Sequence, residues 1–242
     1  MSTSRLSRLP TWISHWLGYR AEPVKPLPTY QIAAWSFITA FCGLSVVQAI
    51  FNYAHYFTSR NVPGIIASYG ASAVLCFGAV ESPLAQPRAL IFGHFFSALT
   101  GICITKLFSL MPNEARFESL RWLAASISTA SAIVVMQLTG TTHPPAGATA
   151  LLPATNDEVW NLSWYYLPVV LLSSTLLVVC AMLLNNIQRR YPVFWIAPTP
   201  PKAAAAAPAP VSASTSASAP AHGSAANTDA GSSQEKLPKG SV

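Results

Sequence analysis

Charge is what this sequence lacks. Only 22 of its 242 residues are Lys, Arg, Asp or Glu, 9 % of the chain against about 25 % in an ordinary soluble domain. Between residues 26 and 188 there are ten: Arg60, Glu81, Arg88, Lys106, Glu114, Arg116, Glu118, Arg121, Asp157 and Glu158. The stretches 26–59, 61–80, 89–105, 122–156 and 159–188 have none. That pattern excludes a soluble enzyme, a coiled coil, a nucleic-acid-binding domain and a wholly disordered chain. The apolar stretches hold no pair of carboxylates, which argues against a carboxylate proton relay. There is no Gly-Lys-[Ser/Thr] phosphate loop, no HExxH and no Gly-x-Ser-x-Gly, so no catalytic residues and no cofactor are expected and the chain is not read as an enzyme. Cys42, Cys76, Cys103 and Cys180 lie in four different apolar segments without CxxC or Cys/His ligand spacing. They read as small buried hydrophobes, with no metal site.

What is present is apolar: 52 % of residues are hydrophobic and the mean hydropathy is +0.40. The fold class expected is an all-α polytopic membrane protein. Its hydrophobic segments are placed at about 30–51, 62–80, 89–110, 120–139 and 164–187, within a transmembrane domain at 30–190. The second is the weakest, because Gly64, Ser68, Gly70, Ser72 and Gly78 make it small and polar. The net charge of +6 forms no single patch. Basic residues precede the first segment, and Arg189–Arg190 close the last, where juxtamembrane charges belong. Residues 1–29 carry Leu6, Leu9, Ile13, Trp16 and Leu17 at helical spacing and predict an interfacial amphipathic helix. A mitochondrial presequence has similar composition. Residues 197–242 are Ala-, Pro- and Ser-rich and predict a disordered tail.

Between the fourth and fifth segments lies TTHPPAGATALLPA, 141–154, too short to span as an ordinary helix. Backbone at membrane depth needs protein or a wet cavity around it. Proline suits a first helical turn, so a half-helix beginning near Pro145 is expected. Gly70-Ala71-Ser72-Ala73-Val74-Leu75 resembles Gly147-Ala148-Thr149-Ala150-Leu151-Leu152, and both copies sit between long apolar segments. Two inverted halves are therefore expected, near 30–110 and 120–188, each reading long, short, long. Counting the short elements as crossings puts both basic termini on one side, cytoplasmic or matrix, and the acidic pair Asp157–Glu158 in a solvated loop opposite. Four spans with both short elements re-entrant satisfy the charges equally.

An ionisable side chain at membrane depth is a functional candidate. His143 is the sharpest, placed with Pro144 and Pro145 at the start of the half-helix, whose dipole and free N–H groups would attract an anion. Gly147 and Thr149 follow it. Gly70 and Ser72, with neighbouring Ser68, form the matching surface of the first half, and Gln86 and Arg88 follow. Arg88 is either an anion attractor at a pore mouth or a headgroup anchor. Gly93, Ser97, Gly101 and Thr105 form a close-packing stripe. His94 beside it belongs to the path or to an interhelical hydrogen bond. Lys106 is placed to snorkel. The substrate path is thus assigned to His143, Pro144, Pro145, Gly147, Thr149, Ser72, Gly70, Gln86, Arg88 and His94.

The motifs SYGASAVLCFG, SPLAQPRALIFGH and THPPAGATALLPA, in that order along the chain, resemble the HPP family of integral membrane proteins over roughly residues 25–196. The Trp-rich N-terminus looks similar to the fungal branch. The resemblance implies four transmembrane helices. Some plant and cyanobacterial members are associated with nitrite, so it also implies a small-anion transporter or channel. The expected function is passive or proton-coupled passage of a nitrite-like anion, with His143 as the pH-sensitive group. A non-transporting membrane scaffold is the alternative. Expected partners are membrane lipid and a small inorganic anion, with no nucleic acid and a homo-oligomer left open. The location is a multi-pass position in the plasma membrane or the mitochondrial inner membrane.

Overall fold

The computed structural model describes residues 5–20 and 26–196. The regular structure among them is entirely helical. A 3-10 turn (Arg5–Arg8) leads to α1 (Thr11–Trp16), α2 (Thr29–Tyr53), α3 (His55–Thr58) and α4 (Ser68–Ala73), which runs on into a π turn, Val74–Gly78. Then follow α5 (Pro87–Ser109), α6 (Glu114–Thr139), α7 (Pro144–Thr155), α8 (Asp157–Leu162) and α9 (Tyr166–Asn185). Four helices are long and apolar enough to cross a bilayer: α2, α5, α6 and the continuous stretch Asp157–Asn185.

The helix ends follow from local chemistry. Proline occupies the first turn of both α5 and α7, where the N–H it lacks would have no helical partner. Asn113 caps α6, its side chain accepting from Ala115 N–H at 2.9 Å. Gly140 ends α6 in the left-handed region at φ 62°, and Thr141 N–H closes back on Met136 O at 2.9 Å. Pro153 lies inside α7 and has no N–H for the carbonyl of Thr149. That carbonyl accepts instead from the Tyr166 hydroxyl, at 3.2 Å. In the π turn, Ser36 Oγ donates to Phe77 O at 2.8 Å and Asn185 Nδ2 to Cys76 O at 2.9 Å.

α5 is the centre of the bundle, packed against α6, α7 and α9, while α2 packs on α9 and α4 on α7. The stripe on α5 faces inward: Gly93, Ser97, Gly101 and Thr105 are all buried. A methyl group on Gly101 would overlap the carbonyl of Ala150. One on Gly93 would come within 2.8 Å of Thr141 O and 2.9 Å of His143 Cβ. Small residues here let α7 lie backbone-close to α5.

Both ends of the described unit meet at one face. His15 Nε2 lies 2.9 Å from Asn186 O, Arg20 donates to Asn186 Oδ1 at 3.0 Å, and Arg190 Nε donates to Gly18 O at 2.7 Å. The start of α5 joins them through the buried Tyr191, whose hydroxyl donates to Ala85 O at 2.7 Å. Burial lowers the pKa of the Arg189 and Arg20 guanidinium groups, and the Arg190 charge adds to the effect on Arg20. At the other face Arg121 pairs with Asp157 at 2.7 Å, and Lys106 lies 5.3 Å from the centre of the Trp160 ring. The chain therefore alternates direction through α2, α4, α5, α6, α7 and α9, in the order long, short, long, twice.

Three expectations need correction. The segment at 62–80 is helical only over Ser68–Gly78. Residues 62–67 run irregularly past the end of α2, with Gly64 close against Asn52, so this segment is a short element and the long apolar helices among the described residues number four. Asp157 and Glu158 form the first turn of α8 rather than a loop, held by Arg121. The N-terminal segment is not one amphipathic helix: Pro10 separates the 3-10 turn from α1, and the segment docks on the end of α9. The half-helix begins at Pro144, one residue before the position expected. The tail expected over 197–242 lies outside the described residues.

Candidate functional site

Two short helices from different halves meet at the middle of the bundle, and their polar side chains turn toward each other. Ser68 and Ser72 lie one turn apart on α4. His143 caps α7 and Thr149 sits inside it, and His94 comes from α5. All five are buried, with exposures between 0 and 3 %. His143 adopts extended backbone (φ −138°, ψ 102°), as a residue before proline must, and this aims its ring inward rather than along α7.

The five side chains form one hydrogen-bonded chain. His143 Nδ1 lies 2.7 Å from Leu84 O, and His143 Nε2 lies 2.9 Å from Ser72 Oγ. Ser72 Oγ lies 2.8 Å from His94 Nε2. His94 Nδ1 lies 2.7 Å from Thr149 Oγ1, which is 2.8 Å from Ser68 Oγ. The two imidazole centroids are 4.9 Å apart at 62°. Tyr69 stacks on His94 at 4.5 Å, and its hydroxyl is anchored on α9 by Val170 O and Ser174 Oγ, each at 2.7 Å.

Valence assigns the protons. A carbonyl oxygen only accepts, so His143 carries its proton on Nδ1 and donates to Leu84 O; a neutral ring then accepts at Nε2. Ser72 donates to it at 2.9 Å in preference to Ser68 O, which lies 3.3 Å away. Having used its one proton, Ser72 accepts from His94 Nε2–H. His94 Nδ1 is thereby an acceptor, filled by the Thr149 hydroxyl, and Thr149 accepts from Ser68. One anchor fixes both tautomers and every hydroxyl. Both rings are neutral, as burial without a carboxylate requires.

The other path candidates fall elsewhere. Gly70 is on the opposite face of α4 with nothing within 4 Å of where a Cβ would stand. Gln86 is buried but structural. Its amide donates to Val80 O at 3.0 Å and Ser82 O at 2.8 Å, and its Oε1 accepts from Val193 N–H at 2.8 Å. Gly147 backs onto α6, its carbonyl accepting from Thr129 at 3.4 Å. Pro144 is exposed and Pro145 buried. These prolines leave the first two positions of α7 without N–H donors, and Ala146 N–H is taken by His143 O at 2.9 Å. The α7 N-terminus therefore supplies a field but few free donors. Arg88 donates to Thr139 O at 2.7 Å and Ile196 O at 3.0 Å. It lines an open cleft with Leu84, Gly140 and Thr142, directly outside the Leu84 carbonyl that holds His143. Among the described residues Arg88 pairs with no carboxylate.

Sequence reasoning missed Tyr69, Tyr166 and the Leu84 carbonyl. Pro153 was the available signal for Tyr166, since a proline inside a buried helix leaves a carbonyl seeking a donor.

The sequence profile of the family described as the HPP transmembrane region matches residues 25–192. The chain is 36 % identical over 187 residues to a transmembrane protein of Dictyostelium discoideum, covering 76 % of this chain and 63 % of that protein. It is 35 % identical over 187 residues to a second transmembrane protein of that organism, covering 76 % and 57 %. The chain thus spans about three fifths of the length of these curated relatives. Neither is fungal. No solved structure matches the chain. The chain belongs to the HPP transmembrane-region family and is an integral, multi-pass membrane protein.

Proposed function

We propose that this HPP-family membrane protein passes a small inorganic anion of the nitrite class across the bilayer. The path enters at the Arg88 cleft and continues past His143, Ser72, His94 and Thr149. The observation that carries the reading is that Leu84 borders both sides: it lines the cleft with Arg88, a guanidinium without a carboxylate partner among the described residues, and its carbonyl holds His143 of the buried, charge-free cluster of imidazoles and hydroxyls. An anion leaving water needs donors in place of its hydration shell. Arg88 and the positive end of α7 attract it, and an anion that displaces the bonds among the hydroxyls and imidazoles takes up their donors. The cleft opens on the face bearing Arg20, Arg88, Arg189 and Arg190 against Glu81. The opposite face holds four basic and four acidic residues. By the positive-inside rule the cleft faces the cytoplasm or matrix.

Nitrite flux into proteoliposomes tests this, with His143→Ala as the comparison. Saturable flux in the wild type, lost in a folded variant, is the expected result. No flux above empty liposomes for nitrite, nitrate, chloride or formate would overturn it and favour the scaffold reading.

A further inference from the structure

We propose that the Ser68–Thr149–His94–Ser72–His143 chain is a proton relay that couples anion movement through the Arg88 cleft to proton movement in the same direction. This inference rests on the transport reading above and adds the coupling ion and its route. The geometry is what a relay needs. Five consecutive proton-carrying groups are linked at 2.7 to 2.9 Å, and all donate in one sense, from Ser68 toward Leu84. The histidines are joined through side-chain hydroxyls, His94 at both ring nitrogens and His143 at Nε2, and such groups both give and take protons. Backbone takes part at two points, His143 Nδ1 to Leu84 O at 2.7 Å and the longer contact of Ser72 Oγ with Ser68 O at 3.3 Å.

The transfer balances without leaving a charge behind. Ser68 Oγ takes a proton from water and passes its own to Thr149. Thr149 passes its proton to His94 Nδ1, and His94 Nε2–H moves to Ser72. Ser72 hands its proton to His143 Nε2, and His143 Nδ1–H leaves to a water or to the anion standing in the cleft in place of Leu84 O. One proton enters and one leaves. Each imidazole ends in its other tautomer, and ring and hydroxyl rotation resets the chain. The reverse sequence carries protons the other way. The ionisable groups facing the two rings are Tyr69 from α4, Tyr166 from α9 through Thr149, and Arg88 beyond Leu84 on α5. The charged residues of α6 lie in its first two turns at the far face, and α7 carries none. No group facing the rings is a carboxylate that would hold the proton permanently.

Two measurements test this and fail separately from the transport reading. The first is histidine nitrogen-15 NMR on the full chain in lipid. His143 should be protonated on Nδ1 and His94 on Nε2, both neutral, and the His94 resonances should lose this assignment in Ser72→Ala. The opposite His94 tautomer, or a cationic ring near neutral pH, would overturn the relay whatever the flux result. The second uses proteoliposomes with an enclosed pH dye, given external nitrite near neutral pH and compared with protein-free liposomes. Proton and nitrite uptake should rise together in the wild type. Ser72→Ala should lose proton uptake by at least about tenfold, and Ser72→Thr, which keeps the hydroxyl, should restore it. Nitrite flux without a dye signal, or a dye signal retained in proportion to flux in folded Ser72→Ala, would refute the relay while leaving transport standing. Absence of wild-type nitrite flux would instead refute transport, and coupled transport with it.

Discussion

Adding one methyl group at two different glycines should have opposite effects. Gly101 of α5 and Gly70 of α4 are both helical, so Gly→Ala raises helix propensity at each by about 0.5–1 kcal/mol. At Gly70 nothing stands within 4 Å of the new carbon, and the propensity gain is all that remains. At Gly101 the methyl group overlaps the backbone carbonyl of Ala150, which no rotamer change can relieve. α7 must move off α5 by about 1 Å, a repacking that costs about 1–3 kcal/mol. Ala150 follows Thr149, so the same shift stretches the 2.7 Å His94–Thr149 bond past hydrogen-bonding distance. Losing that bond costs about 1 kcal/mol more. Gly101→Ala should therefore be destabilised by about 1–3 kcal/mol after the propensity gain is subtracted, and Gly70→Ala should be equal to wild type or better. Unfolding of the purified variants in mixed micelles measures the difference. Nitrite flux should fall in Gly101→Ala and hold in Gly70→Ala. Equal stability of the two variants, or greater loss at Gly70, would refute the close α5–α7 approach on which the cluster depends.

Arg88→Gln, which keeps hydrogen-bonding capacity but removes the charge, should lower nitrite flux at low salt more than at high salt, because a screened field attracts anions less; a salt-independent effect would show that Arg88 only caps α6. Gly140→Ala should cost about 1–2 kcal/mol in micelle unfolding, since the α6 terminus requires a left-handed residue, and Gly140→Asn should recover part of it. Tyr191→Phe should cost about 1 kcal/mol by leaving the buried Ala85 carbonyl with only the weak Cys76 thiol donor, 3.8 Å away, and thermal unfolding should show the loss.

Composition and charge spacing alone settle the solvent and the class of fold. Twenty-residue stretches without charge point to helices in a bilayer, and the basic residues that flank the first and last of them predict that both ends of the helical unit share one face. The residue pattern also marked His143, Ser72 and Thr149, because a proline pair, an ionisable group and small hydroxyl residues rarely share one apolar stretch unless they form a polar site. How these residues combine was settled by packing between helices. Whether His94 met the HPP element depended on how closely α5 approached α7, a distance set by Gly93 and Gly101 acting across about 50 residues of chain. Gly70 shares its repeat motif with Ser72 but points away, because a helix turns about 100° per residue and only one face of α4 meets α7. Gln86 and Arg88 are two residues apart and part company because Gln86 is the extended residue that precedes α5 while Arg88 lies in its first turn, one buried against Val193, the other lining the cleft. Proton positions were the last thing decided. They follow from a single carbonyl, that of Leu84, whose position no local pattern records because a loop from one half delivers it to a histidine in the other.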